Sequence, residues 1–211
     1  MAKALDFIDV PPNNGEIKKG LIVILHGWGA NAEDVASIVP FLQLPGYHFV
    51  LPNAPFPHPH SPIGRAWYEL SRDNMYEGLP QSQELLIDFL QSLEHSTGVP
   101  LRKTILSGFS QGGAMTLDVG LKLPFAGLIS MSGYLHSDIH GVENQTNNIL
   151  PPVLIMHGKQ DEVVPLVAAK KARDVLESLA VALKYDEFDG GHQITSQMLD
   201  VARTFILSNL T

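Results

Sequence analysis

Cysteine is absent from the 211 residues. That excludes a disulfide framework, a thiolate nucleophile, a Cys-type zinc site and palmitoylation. Charged residues are scarce, 17% of the chain against an ordinary ~25%, so this is no disordered or solvating polymer. Basic residues are in deficit: 14 Lys and Arg face 22 Asp and Glu, a formal net charge of −8. Such a balance leaves no electrostatic footprint for nucleic acid and no attraction to anionic lipid. Long hydrophobic runs are missing too. The longest aliphatic stretch, Leu21 to Leu25, falls far short of the ~20 residues that span a bilayer. The N-terminal MAKALDFIDVPP is interrupted by Asp6 and Asp9 and has no apolar core of a signal peptide. No stable membrane insertion is expected, and the expected location is cytoplasmic. What the chain does have is 45% hydrophobic residues, at a length that buries roughly 70–75% of the unfolded surface. With no internal repeat and no low-complexity linker, residues 1–211 read as a single domain.

Short β-type runs alternate with helical periodicity. GLIVILHG (20–27) is a continuous aliphatic run ending in glycine, as expected of a strand buried on both faces. Asn31 is placed to cap a helix through about Gln43, with Glu33 and Asp34 in its first turn. A strand at YHFVLPNAP follows, and then five prolines in residues 52–62 exclude both a helix and a central strand. Leu85, Leu86, Phe89, Leu90 and Leu93 predict a helix from about Gln81 to His95, stopped by Gly98 and Pro100. RKTILSG (102–108), AGLISMSG (126–133) and PPVLIMHG (151–158) predict three more buried strands, and 134–150 a polar loop. Ala168, Ala172, Val175, Leu176 and Leu179 make the buried stripe of a helix. ALKYDEF (182–188) makes a weaker strand, and Ile194, Met198, Val201 and Phe205 line a last helix. Strands alternating with helices predict an α/β fold, a mostly parallel sheet with helices on both faces. Chemistry in such sheets sits at the carboxyl ends of the strands.

Gly108-Phe109-Ser110-Gln111-Gly112 matches the G-x-S-x-G nucleophile elbow, and its context is the required one: an apolar strand before, a helix-forming stretch after. A serine hydroxyl needs an imidazole to take its proton. Of nine histidines, His192 stands out in the flexible turn Asp189-Gly190-Gly191-His192, between the last strand and the last helix. His26 and His157, each before a glycine at a strand end, read better as structural residues whose rings bond nearby backbone. His58 and His60 form an H-x-H in the proline-rich loop with no third ligand nearby, so no metal site is expected. The base needs a carboxylate to hold its tautomer. Asp161 follows a buried strand; Glu162 is its rival, Asp186 and Asp189 weaker ones. The order Ser110, Asp161, His192 is that of α/β-hydrolases. An acyl-transfer site also needs backbone N–H groups aimed at the oxyanion. The amide after the nucleophile, that of Gln111, is one donor. The loop His26-Gly27-Trp28-Gly29 supplies the other through Trp28.

Together these residues resemble the acyl-protein thioesterase and phospholipase/carboxylesterase family of α/β-hydrolases. The matching pieces are LHGWG (25–29), PNAPFPHP (52–59), RAWYEL (65–70), SGFSQGGAM (107–115), HGKQDEVVP (157–165) and GGH (190–192), in family order across nearly the whole chain. The resemblance implies Ser110 as nucleophile, Asp161 as acid, His192 as base, and Trp28 and Gln111 as oxyanion donors. It also implies an α/β-hydrolase fold with little or no lid domain, no cofactor, and hydrolysis of carboxylic esters, with acyl thioesters and lysophospholipids as further candidates. By the same analogy the proline-rich loop and Trp67 wall the cleft, and a homodimer is the candidate assembly, since the family often dimerises, although the sequence marks no interface. Trp28 stands where many members have leucine. The lack of cysteine removes the lipid-anchoring site some eukaryotic members carry. The competing readings are a non-catalytic ligand receptor on the same fold and a peptidase.

Overall fold

The computed structural model describes residues 5–13, 18–136 and 150–210. Its elements run β1 (Phe7–Val10), β2 (Gly20–Leu25), α1 (Ala32–Ala36), α2 (Val39–Leu42), β3 (Tyr47–Pro52), β4 (Phe56–Pro57), β5 (Arg65–Ala66), α3 (Leu79–Thr97), β6 (Thr104–Phe109), α4 (Gln111–Gly120), β7 (Gly127–Met131), β8 (Val153–Gly158), α5 (Leu166–Ser178), β9 (Leu183–Phe188) and α6 (Ser196–Asn209). Seven strands form one sheet in the order β1-β3-β2-β6-β7-β8-β9, parallel except for β1, which pairs antiparallel with β3. β4 and β5 form a separate two-stranded ribbon. The mostly parallel sheet expected from the alternation, with helices on both faces, is the one observed.

Every residue of β2 and β3 is buried, and strand alternation divides their side chains between two cores. Leu21, Val23 and Leu25 face the side covered by α3, α4 and α5, with Leu90, Met115 and Leu176. Ile22 and Ile24 face the side of α1, α2 and α6, with Val35, Leu42 and Ile206. Both faces are covered, which is why these strands read as unbroken apolar runs. Among the described residues no helix is long and apolar enough to cross a membrane.

The structure departs from the sequence reading in four places. The helix expected from Asn31 to Gln43 is two short ones, α1 and α2. Pro40 lacks the N–H that would continue the first, and sits instead at the start of the second, where no intrahelical bond is asked of it. Asn31 caps α1 as expected, its side chain accepting from the Glu33 and Asp34 amides. α3 starts at Leu79 rather than near Gln81, with Pro80 in its first turn, where a missing N–H costs nothing. The buried stripe of α5 is Ala169, Ala172 and Leu176, one position off the expected register at its start. β1 carries no strand signal strong enough to stand out, since half its side chains face solvent. The loop expected over 134–150 falls largely outside the described residues.

Candidate active site

β6 delivers Ser110 into a turn that L-residues rarely adopt, with φ 55° and ψ −119°. Its N–H donates to the Met131 carbonyl at 2.8 Å and its carbonyl accepts from Ala114 N–H at 3.0 Å, so both strand and helix hold the strained residue. The glycines of the elbow are required by contact. A Cβ at Gly112 would run into the Leu25 and His26 carbonyls, and one at Gly108 into the backbone of Gly112.

Asp161 sits in the turn after β8 and is buried. Its Oδ1 accepts from the Val163 and Val164 amides at 2.9 and 2.8 Å. Its Oδ2 lies 2.7 Å from His192 Nδ1. Burial pushes this carboxyl up, but the hydrogen bonds from His192 and the two amides outweigh it and hold Asp161 below the usual carboxylate range. It is therefore ionised at neutral pH and accepts only, which puts the neutral ring's proton on Nδ1. His192 Nε2 is left as an acceptor, 2.9 Å from Ser110 Oγ. The Phe109 ring packs on the imidazole, ring centroids 4.8 Å apart.

Two turns set the distance between acid and base. Gln160 N–H donates to the Gly190 carbonyl, and Gly190 N–H to Gln160 Oε1. Lys159 N–H donates to the Phe188 carbonyl. Gly190, at φ 150°, has a backbone that only glycine adopts readily. The rival carboxylates are engaged elsewhere: Asp189 with Lys159 at 2.8 Å and Asp186 with Lys184 at 3.3 Å. Glu162 is exposed.

Trp28 follows β2 in a turn, and among the described residues its N–H has no backbone acceptor. Gln111 opens α4, where the first amides have no intrahelical partner. These are the two amides that the sequence offers as oxyanion donors. His26 is fully buried and structural: Nδ1–H donates to the Gly27 carbonyl at 2.7 Å and Nε2 accepts from Ala54 N–H at 3.0 Å. Burial holds its pKa down at about 4, against a partial upward pull from the Gly27 bond. His157, also fully buried, donates Nε2–H to the Val164 carbonyl at 2.8 Å and so braces the turn that carries Asp161. His58 and His60 rings lie 5.9 Å apart, and among the described residues no three His, Asp or Glu side chains converge as metal ligands.

Ser110 and His192 open onto a cleft of about 520 Å³. Trp28, Leu70, Met75, Tyr76, Tyr134, Leu135, Val163, Val164, Pro165, Ala168 and Lys171 line it. Trp67 is not among them. Instead of walling the cleft it is fully buried, donating Nε1–H to the His26 carbonyl at 3.0 Å and its backbone N–H to Gln111 Oε1 at 2.8 Å. The indole is too large and apolar to stay at the surface when a pocket beneath the β2 turn can take it and satisfy its N–H. The cleft wall comes from the chain that follows, 70–76, and from Tyr134. The Tyr134 hydroxyl pairs with that of Tyr68 at 2.6 Å, and burial pushes Tyr134 up to about 12. No spacing in the sequence marks this tyrosine pair, 66 residues apart.

The phospholipase/carboxylesterase family profile matches residues 12–210. The acyl-protein thioesterase 1 of Eremothecium gossypii is 30% identical over 216 residues, 91% of this chain and 88% of that one. Its namesake in Neurospora crassa is 29% identical over 212 residues, 90% of this chain and 86% of that one. Among solved structures, esterase PE8 matches with a TM-score of 0.87 at 32% identity, covering 98% of this chain and 100% of its own.

Proposed function

Because the chain belongs to the phospholipase/carboxylesterase family and is a serine hydrolase of the α/β-hydrolase fold, we propose that it cleaves carboxylic esters of apolar acyl groups through Ser110, His192 and Asp161. Ser110 Oγ attacks the ester carbonyl while its proton passes to His192 Nε2. The ionised Asp161 stabilises the imidazolium. The carbonyl oxygen, now anionic, accepts from the Trp28 and Gln111 amides, a contribution of a few kcal/mol each. Collapse breaks the bond to the alcohol, which leaves with the proton from His192. Water then repeats the sequence on the acyl-serine and releases the acid. Thiol esters follow the same steps with a thiol as leaving group.

The observation that carries this reading is the continuous chain from Ser110 Oγ to His192 Nε2 (2.9 Å) and from His192 Nδ1 to Asp161 Oδ2 (2.7 Å), opening onto an apolar cleft. The test is labelling by a fluorophosphonate, with hydrolysis of a p-nitrophenyl ester series from acetate to palmitate. Wild type is expected to label at Ser110 and turn over, and Ser110→Ala to lose at least about 10³-fold in kcat. Turnover that survives in Ser110→Ala overturns the assignment of the nucleophile, and folded protein that neither labels nor hydrolyses overturns the reading in favour of a ligand receptor.

A further inference from the structure

Two histidines lie against the Asp161 carboxylate, and the hydrolytic steps use only one of them. His192 Nδ1 is 2.7 Å from Oδ2. His157 Nε2 is 3.4 Å from the same oxygen, and neither the His157 ring nor the carboxylate is exposed. His157 belongs to the end of β8, four residues before the acid, so the sheet itself carries the ring to this place. The next residue, Gly158, lets the base approach. A Cβ there would run into the Gly190 and Gly191 carbonyls of the turn that bears His192.

The ring has one hydrogen bond, to the Val164 carbonyl at 2.8 Å. A carbonyl can only accept, so the neutral ring carries its proton on Nε2. Nδ1 has no partner among the described residues, which leaves Nε2 as the polar anchor. Val164 precedes α5, and among the described residues no backbone N–H reaches its carbonyl. Its own N–H donates to Asp161 Oδ1 at 2.8 Å, beside that of Val163 at 2.9 Å. Val164 is thus pinned on both sides of its Cα, by His157 at the carbonyl and by the acid at the amide. Without the first bond a buried acceptor is left unpaired, and the turn that grips Oδ1 loses its anchor to the sheet.

We propose that His157 is a positioning residue for the triad carboxylate. By anchoring Val164 and filling the space beside Oδ2, it holds Asp161 to His192 Nδ1. This rests on the roles given above to Ser110, His192 and Asp161. The ring touches no reacting atom and acts only through Asp161.

The experiment measures p-nitrophenyl butyrate hydrolysis and the rate of fluorophosphonate labelling, each below the unfolding transition of the protein concerned. The proteins are wild type, His157→Gln, His157→Asn, His157→Leu, Asp161→Ala and the Asp161→Ala/His157→Leu double variant. His157→Leu fills space but offers Val164 no donor. It is expected to lose about 10-fold in kcat and in labelling rate, with KM within about twofold. His157→Gln, whose side-chain N–H reaches about as far as Nε2, should stay within about threefold of wild type. His157→Asn, one bond shorter, should be as slow as His157→Leu. In the Asp161→Ala background, His157→Leu should cost no more than about twofold. Additive losses in the double variant, or an effect confined to KM, overturn the proposal. So do equal rates in His157→Gln and His157→Asn, a comparison that stands even if His157→Leu fails to fold. The two readings fail differently. Asp161→Ala at the wild-type rate removes Asp161 from the triad. A slow Asp161→Ala beside a His157→Leu as fast as wild type leaves the triad standing and removes His157 from its support.

Discussion

The Gln111 side chain and the Trp67 backbone are joined across 44 residues of chain: Trp67 N–H donates to Gln111 Oε1 at 2.8 Å, and Gln111 Nε2–H donates in turn to the Tyr68 carbonyl at 2.7 Å. The residue proposed to offer its amide to the oxyanion thus also fastens, through its side chain, the segment that leads into the cleft wall. Both bonds are buried. Gln111→Ala leaves a buried donor and a buried acceptor unpaired, a loss of about 1–3 kcal/mol for each. Urea denaturation should show the loss, and the acyl-chain preference should broaden as residues 68–76 loosen.

His26 makes the fold sensitive to acid. Its pKa is about 4 in the folded protein against an ordinary 6.5, because burial disfavours the charged ring. Below 6.5 the unfolded chain binds a proton that the folded one refuses, so stability falls as pH drops from 6.5 towards 4 and stops falling on this account below that. The full span is worth about 3 kcal/mol. Denaturation at about pH 7.5 and about pH 4.5 measures it, and His26→Asn, which cannot titrate, should lose less over the same interval.

Ala168 lines the cleft from the first turns of α5. Ala168→Phe puts a ring where an acyl chain would lie, without touching Ser110, His192 or Asp161. KM for a long-chain p-nitrophenyl ester should rise about 10-fold while that for the acetate stays within about twofold. An equal effect on both would mean that the acyl group lies elsewhere.

Two glycines allow a paired stability test. A Cβ at Gly112 meets the Leu25 and His26 carbonyls of β2 and its turn, whereas one at Gly98 meets nothing within 4 Å. Gly112→Ala forces backbone apart and should cost at least about 3 kcal/mol. Gly98→Ala suffers only from its φ of 71° and should cost about 1 kcal/mol. Thermal unfolding of both variants checks the ratio.

Much of this molecule follows from local pattern. The aliphatic runs of β2, β6, β7 and β8 are legible because strands buried on both faces leave no polar alternation to confuse them. Ser110 is legible because the sharp turn between strand and helix admits only glycine at 108 and 112. Asp161 and His192 are legible from their places after β8 and β9. Other features depend on residues far apart in the chain. Trp67 reads as a cleft wall, yet the space beneath the β2 turn, closed by His26 and Gln111, draws it into the core. Tyr134 reaches Tyr68, and His58 reaches Trp28, only once the sheet has brought their loops together. Such contacts have no period and no spacing, since they are set by the packing of separate elements rather than by the geometry of any one. The sequence by itself therefore determined the strand ends and the candidate reactive side chains beside them; the tertiary structure alone decided what shapes the cleft around them.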